Sequence, residues 1–144
     1  MTIKTYAAAT AAAALVITTA CGGSATAEEP AAAITPVALA QALATDREAT
    51  LATYRDKVIE LSGTVARKIE PSGMNDTRGI VFSGIDDKLA FDSNLSFVAF
   101  DADDSDAVSE FDALAVGDAV TLHCRLVVLN ESGSLYSVKS CRRA

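Results

Sequence analysis

Beyond Val58, apolar and polar residues alternate with a period of two, which is typical of strands with one buried face. Residues 58–70 and 118–130 show the alternation most clearly. Their apolar sets are Ile59, Leu61, Val65 and Ile69 in the first, and Val120, Leu122, Cys124, Leu126 and Val128 in the second. Their polar sets are Glu60, Ser62, Thr64 and Lys68, then Thr121, His123 and Arg125. Gly63 interrupts the first apolar set, and a glycine inside a strand predicts a bulge or a barrel corner.

Three shorter strands are predicted at 80–84, 95–101 and 135–141, with loops over 71–79 and 86–94. The order of the five strands, with a helix between the third and the fourth, is that of the OB fold. We therefore predict an all-β domain over 58–144, a five-stranded Greek-key barrel of the OB type.

Two helices accompany the predicted strands. One covers 36–57, where Thr35 provides a hydroxyl cap and Pro36 occupies the first helical position. The other begins at Ser105 as its cap, has acidic residues in its first turn and ends at Gly117. The first helix should pack its apolar stripe against the barrel, and the second lies between the third and fourth strands.

Residues 1–20 have the pattern of an export signal, with Lys4 followed by an uncharged run over 7–20. The segment Thr18-Thr19-Ala20-Cys21 resembles the bacterial lipoprotein signal, in which the cysteine receives the lipid. We therefore expect Cys21 to anchor an exported protein to a membrane, facing the periplasm or the cell exterior, through a flexible linker over 21–35. Cleavage after Ala27, which would release a soluble secreted form, is the alternative, and an uncleaved anchor is a third.

Charge disfavours a polyanionic ligand. The chain has 19 acidic and 12 basic residues, a net charge of −7, and removal of the leader with Lys4 makes the remainder more negative. Because binding to phosphate backbones depends on Lys and Arg, nucleic acid is an unfavoured partner. A basic edge that could contact a ligand is formed by Arg67, Lys68 and Arg78, together with Arg142 and Arg143. The aromatic residues Phe82, Phe97 and Phe100 are expected mainly to fill the barrel.

Catalytic and metal-binding patterns are weak. His123, the single histidine, lies at an outward position, and no local motif provides an orienting carboxylate or a nucleophile. The acidic run over 101–112 resembles a calcium loop, but Asp106 stands where glycine is required and Asp112 replaces the closing glutamate. We expect an acidic helix cap there, no metal, no cofactor and no enzymatic activity.

Cys124 and Cys141 are disulfide candidates in an exported domain. A four-residue turn over 131–134 would place them opposite each other, but this register sets Leu126 against Lys139. The register that pairs Leu126 with Val138 is better for the core and points Cys141 outward. A bulge or a frayed strand end would reconcile the two demands. The alternative is two unpaired thiols.

The chain resembles the tRNA_anti-like family of OB-fold proteins, which often follow lipoprotein leaders. The matching residues are Leu39, Ala42, Asp46, Ala49, "YRDKVIELSGTV" (54–65), "LAVGDAVTLHC" (114–124) and "SVKSC" (137–141). The resemblance implies the fold and an exported location, without a reaction or a ligand. Our hypothesis is a binding module for an envelope protein or a small ligand. The alternative is a barrel that binds single-stranded nucleic acid or oligosaccharide.

Overall fold

The computed structural model describes residues 29–131 and 135–144, which contain six strands and four helices. Strands β1 to β6 are Ala32–Ile34, Val58–Ile69, Arg78–Phe82, Val98–Phe100, Ala119–Val128 and Tyr136–Arg143. Helices α1 to α4 are Pro36–Thr45, Arg47–Tyr54, Asp87–Ser93 and Ser105–Ala113. None of the helices in these two ranges has the length and apolar character needed to span a bilayer.

Strands β2 to β6 form a closed barrel. Neighbouring strands follow the order β2-β3-β4-β6-β5, and β5 pairs again with β2 to complete the ring. The β4–β6 pair is parallel, while the other four pairs are antiparallel. This five-stranded mixed barrel, with α4 between its third and fourth strands, confirms the OB-type fold predicted from the alternation. Strand β1 lies outside the ring and pairs in parallel with β2.

Gly63 allows one long strand to serve two sides of the barrel. Residues 58–64 of β2 pair with β5, and residues from Val65 onward pair with β3. A Cβ atom at Gly63 would lie 2.8 Å from Cδ1 of Phe82, whose ring occupies the space beside the glycine. The glycine predicted to mark a corner therefore makes room for a core aromatic ring where the strand changes partners.

A bulge in β2 reverses the alternation after Val65. Val65 pairs with Phe82 but Arg67 pairs with Val81, so Ala66 is an extra residue. Lys68 consequently faces Ile80, a fully buried residue, on the inner side of the sheet. The predicted faces of Lys68 and Ile69 are therefore wrong beyond the bulge, because one inserted residue exchanges the two faces of a strand.

Helix α4 covers one end of the barrel. Phe111 is fully buried, and its ring centroid lies 5.5 Å from that of Phe100. Lys68 Nζ lies 4.3 Å from the centre of the Phe111 ring. The core also takes Leu39 and Leu43 from α1, both almost completely buried. Helices outside the ring thus contribute essential apolar surface to a small barrel.

Arg142 of β6 attaches α4 to the barrel through the acidic run. Its Nη1 donates to Asp104 Oδ2 at 3.0 Å, and its Nη2 donates to Glu110 Oε1 at 3.2 Å. Asp104 also caps α4 by accepting from the backbone N–H groups of Asp106 and Ala107. The cap is thus Asp104 rather than the predicted Ser105. A metal-binding group of three or more His, Cys, Asp or Glu residues is absent from the described ranges.

The Asp104 cap makes the free energy of unfolding depend on pH in the acidic range. The backbone N–H of Ala107 and then that of Asp106, together with Arg142, hold the pKa of Asp104 below the ordinary 3.8, against the effect of burial. A lowered pKa in the folded state means that this contribution is present above pH 3.8 and is lost as the pH falls through the folded-state value. We expect urea unfolding to show a steeper loss of stability in acid for the wild type than for Asp104→Asn. Identical pH profiles would contradict this assignment.

The N-terminal helix predicted over 36–57 is divided at Asp46. The Asp46 N–H closes α1 by donating to Ala42 O at 2.9 Å, and its side chain starts α2 by accepting from Ala49 N. Asp46 has φ −145°, so the chain leaves helical geometry there. An aspartate that can accept backbone hydrogen bonds competes with a continuous helix.

Two segments predicted to lack regular structure are ordered elements. Residues 32–34, inside the expected linker, form β1 along β2. Residues 86–94, expected as a loop, contain α3, which Asp86 caps and Asn94 ends in the left-handed conformation. The expected signal over residues 1–20, and Cys21 with it, lie outside the described residues.

Cys124 and Cys141 are joined by a disulfide across β5 and β6. Leu126 pairs with Val138, the register that is better for the core, while farther along His123 pairs with Arg142. A bulge lies between these pairs, where Ser140 adopts a positive φ of 55°. The extra residue turns Cys141 inward, so both the apolar pairing and the disulfide are satisfied.

Candidate ligand-binding face

The outer surface of β2, β3 and β4 carries an unusual group of side chains. The ladder pairs Arg67 with Val81, and it pairs Ile69 with Gly79. Because paired residues share a face, all four point away from the barrel interior. Ala99 pairs with Gly79 from the other side. We call this surface the OB face and define it as Arg67, Ile69, Gly79, Val81, Phe97 and Ala99.

Phe97 is the aromatic residue of the OB face. A Cβ atom at Gly79 would lie 2.8 Å from Phe97 Cδ2, so the ring lies against the backbone of β3 at a position that only glycine leaves open. Phe97 is half-buried, whereas Phe82 and Phe100 are buried inside the barrel. The prediction that aromatic residues fill the core is confirmed for those two and is wrong for Phe97. A partly exposed ring on a sheet is a stacking surface.

The three predicted ligand-contacting cations do not form one edge. Arg67 is exposed on the OB face. Lys68 points the other way, with its side chain 15% exposed and its Nζ 3.4 Å from Glu70 Oε1. Arg78 pairs with the buried Phe100 on the inner side, and its Nη1 donates to the backbone oxygen of Asp76 at 3.4 Å. Arg67 and Lys68 are consecutive residues of a strand and therefore face opposite sides, while Arg142 is engaged by Asp104 and Glu110.

His123 has a carboxylate partner that the sequence did not reveal. Glu60 lies directly opposite in the β2–β5 ladder, and its Oε2 is 3.0 Å from His123 Nε2. No local motif provides this carboxylate, because it comes from a strand distant in sequence. The neighbouring hydroxyl of Ser62 is 2.9 Å from that of Thr121. The arrangement is a polar cross-strand cluster on the outer surface, apart from the OB face.

These features place the chain among proteins with an OB-like barrel. A solved structure of similar fold is the "putative nucleic acid-binding lipoprotein" of Klebsiella pneumoniae, with a TM-score of 0.53 and 11% sequence identity. The alignment covers 78% of this chain and 90% of the Klebsiella protein. At this identity the likeness concerns the fold alone. No protein-family model and no curated protein matches the chain.

Proposed function

We propose that this chain is an exported, lipid-anchored OB-fold module that binds a partner of the cell envelope, a protein or a small ligand, through the OB face. The observation that carries the proposal is the Phe97 ring lying partly exposed against the backbone of Gly79. A partly exposed ring on the same face as Ile69 and Val81 offers apolar contact area that the barrel interior does not use. OB barrels bind ligands on this part of the barrel.

The anchor has independent support and its own test. The pattern around Cys21 resembles a lipoprotein signal, and the Klebsiella barrel bears the name of a lipoprotein. We expect the intact mass of the membrane-extracted protein to correspond to a chain that begins at Cys21 and carries acyl groups. A mass corresponding to a chain that begins at Glu28 would contradict lipidation and leave the binding face as a separate question.

Single-stranded nucleic acid is the second ligand class, and two observations favour it. Arg67 is exposed on the same face as Phe97, so a phosphate and a base could be contacted together. The Klebsiella protein is named as nucleic acid-binding. The net charge of −7 opposes this class, which ranks it below an envelope partner. Catalysis forms no part of either proposal.

The face can be tested with a matched pair of phenylalanine variants. Phe97→Ala removes the ring from the OB face, while Phe91→Ala removes a ring that is 86% exposed on α3. In cross-linking of whole envelopes, we expect one partner to be captured by the wild type and Phe91→Ala but lost with Phe97→Ala. Capture that is equal for all three proteins would contradict the assignment of the OB face.

A fluorescence-anisotropy titration with a short single-stranded oligonucleotide separates the two ligand classes. If the second class holds, affinity falls about 5- to 150-fold with Phe97→Ala, corresponding to about 1–3 kcal/mol per stacked base. Arg67→Gln should then reduce the salt dependence of binding, with the exposed Arg143→Gln as its control. Absence of binding at low salt would exclude nucleic acid and retain the envelope partner.

A further inference from the structure

A groove of about 410 Å³ lies between α2 and the end of β5 and shares no residue with the OB face. Its apolar lining comes from Leu51 and Ala52 of α2 and Val128 of β5. Its charged lining includes Arg47 and Arg55. We call it the α2 groove. Apolar side chains next to arginines combine the two properties needed to hold an amphiphilic anion.

Two hydrogen-bond donors lie behind one wall of the α2 groove. Tyr136 is the ladder partner of Val128, so their side chains share a face. The guanidinium carbon of Arg47 lies 5.7 Å from the centre of the Tyr136 ring. Tyr136 is 5% exposed, and its hydroxyl and Arg47 Nε are both buried without a hydrogen-bond partner in the described part of the chain. A buried donor without an acceptor is rare in folded proteins.

The chemistry of these donors selects the ligand. Burial raises the pKa of Tyr136, against the lowering effect of Arg47, so its hydroxyl remains protonated and donates at neutral pH. An acceptor that satisfies both a phenol and a guanidinium is an anionic oxygen, because charge-assisted hydrogen bonds are the strong ones. A carboxylate provides two such oxygens.

We propose that the α2 groove binds a free single-chain amphiphile with a carboxylate head, of the fatty-acid class. The head group accepts from Arg47 Nε and the Tyr136 hydroxyl, and the alkyl chain lies along Leu51, Ala52 and Val128. Arg47 is held on its other side by a 3.3 Å hydrogen bond from Nη2 to the backbone oxygen of Asp92. Because Tyr136 is 5% exposed and does not itself line the groove, the proposal requires the Arg47 side chain to shift when the head group binds.

The remaining lining residues argue for one small head group rather than a polyanion. Glu48 and Glu131 also line the groove and balance the two arginines. Arg55 is partly neutralised by Asp56, with 3.6 Å between Nε and Oδ2. A chain of phosphates would carry more negative charge past these carboxylates than a single carboxylate head group does.

The test uses dodecanoate below its micelle concentration, with isothermal titration calorimetry and amide NMR shifts on the full chain. Tyr136→Phe removes a single oxygen from the proposed site, so we expect about 10-fold weaker binding. Because that hydroxyl has no partner in the free protein, the variant should melt at or above the temperature of the wild type. Tyr54→Phe, a tyrosine of α2 that does not line the groove, is the matched control and should bind like the wild type.

Three further binding measurements test the proposed site in the α2 groove. Arg47→Gln should weaken binding more than Tyr136→Phe, and dodecyltrimethylammonium should bind at least 10-fold more weakly than dodecanoate. Phe97→Ala should leave dodecanoate affinity unchanged, which distinguishes this site from the OB face. Absence of dodecanoate binding, equal binding of the cationic detergent, or full affinity in Tyr136→Phe would each overturn the proposal. So would binding confined to anionic lipid vesicles.

Discussion

Phe111→Ala is expected to lower the free energy of unfolding by about 3–5 kcal/mol. Phe111 is fully buried at the barrel end that α4 covers. Removing its ring leaves a cavity against Phe100 and takes away the surface on which the Lys68 ammonium lies. Because the free energy of unfolding of small domains is only about 5–15 kcal/mol, this loss is a large fraction of the stability of the protein.

The measurement is urea unfolding followed by circular dichroism, since the chain contains no tryptophan. Phe91→Ala is the matched control, because a phenylalanine that is 86% exposed should change stability by less than about 0.5 kcal/mol. A loss below about 1 kcal/mol for Phe111→Ala, or equal losses for both variants, would contradict the role of α4 as the cap of the barrel.

Removal of the disulfide is the second large effect. The bond between Cys124 and Cys141 closes a loop with a sequence separation of 17 residues. A loop of that size restricts the unfolded chain by about 3 kcal/mol. Both cysteines are fully buried in the core. We expect the double variant Cys124→Ala with Cys141→Ala to lose about this amount.

Comparison of oxidised and reduced protein checks the cause. Wild-type protein should unfold at lower urea concentration when dithiothreitol is present, and the double alanine variant should not respond to it. Alanine is used in place of serine because a serine hydroxyl buried in the core would lower stability by itself. A wild type that is insensitive to the reductant would show that the bond does not contribute to stability.

The position of the β6 bulge could not be predicted from the sequence. The sequence contained two conflicting demands, one from the apolar pairs Leu126 and Val138 and one from the two cysteines. Both demands could be recognised in the sequence, and a bulge in one strand was expected to satisfy them together. Its position at Ser140 depends on the positive φ of 55° at a residue that is not glycine, for which the sequence carries no marker.

The OB face illustrates the same limit. Phe97 and Phe100 are three residues apart and cannot share one face of a regular strand, so a signal that one of them points outward was present. Which one does so depends on Gly79 of the neighbouring strand, which leaves room for the Phe97 ring. Arg67 and Lys68 face opposite sides because they are consecutive in a strand, but the extra residue Ala66 decides that Arg67 is the outward one, and this is visible only in the register with β3.

The sequence by itself determined the barrel, because the two-residue period over 58–70 and 118–130 is a local property that survives small errors in strand ends. It also carried the order of the five barrel strands with α4 between the third and fourth, and the pair of cysteines. Tertiary structure alone decided which polar residues meet: Glu60 with His123, Arg142 with Asp104 and Glu110, and Arg47 with Tyr136. These partners lie 32 or more residues apart, and their contacts depend on strand register and helix docking, which a single inserted residue can reverse.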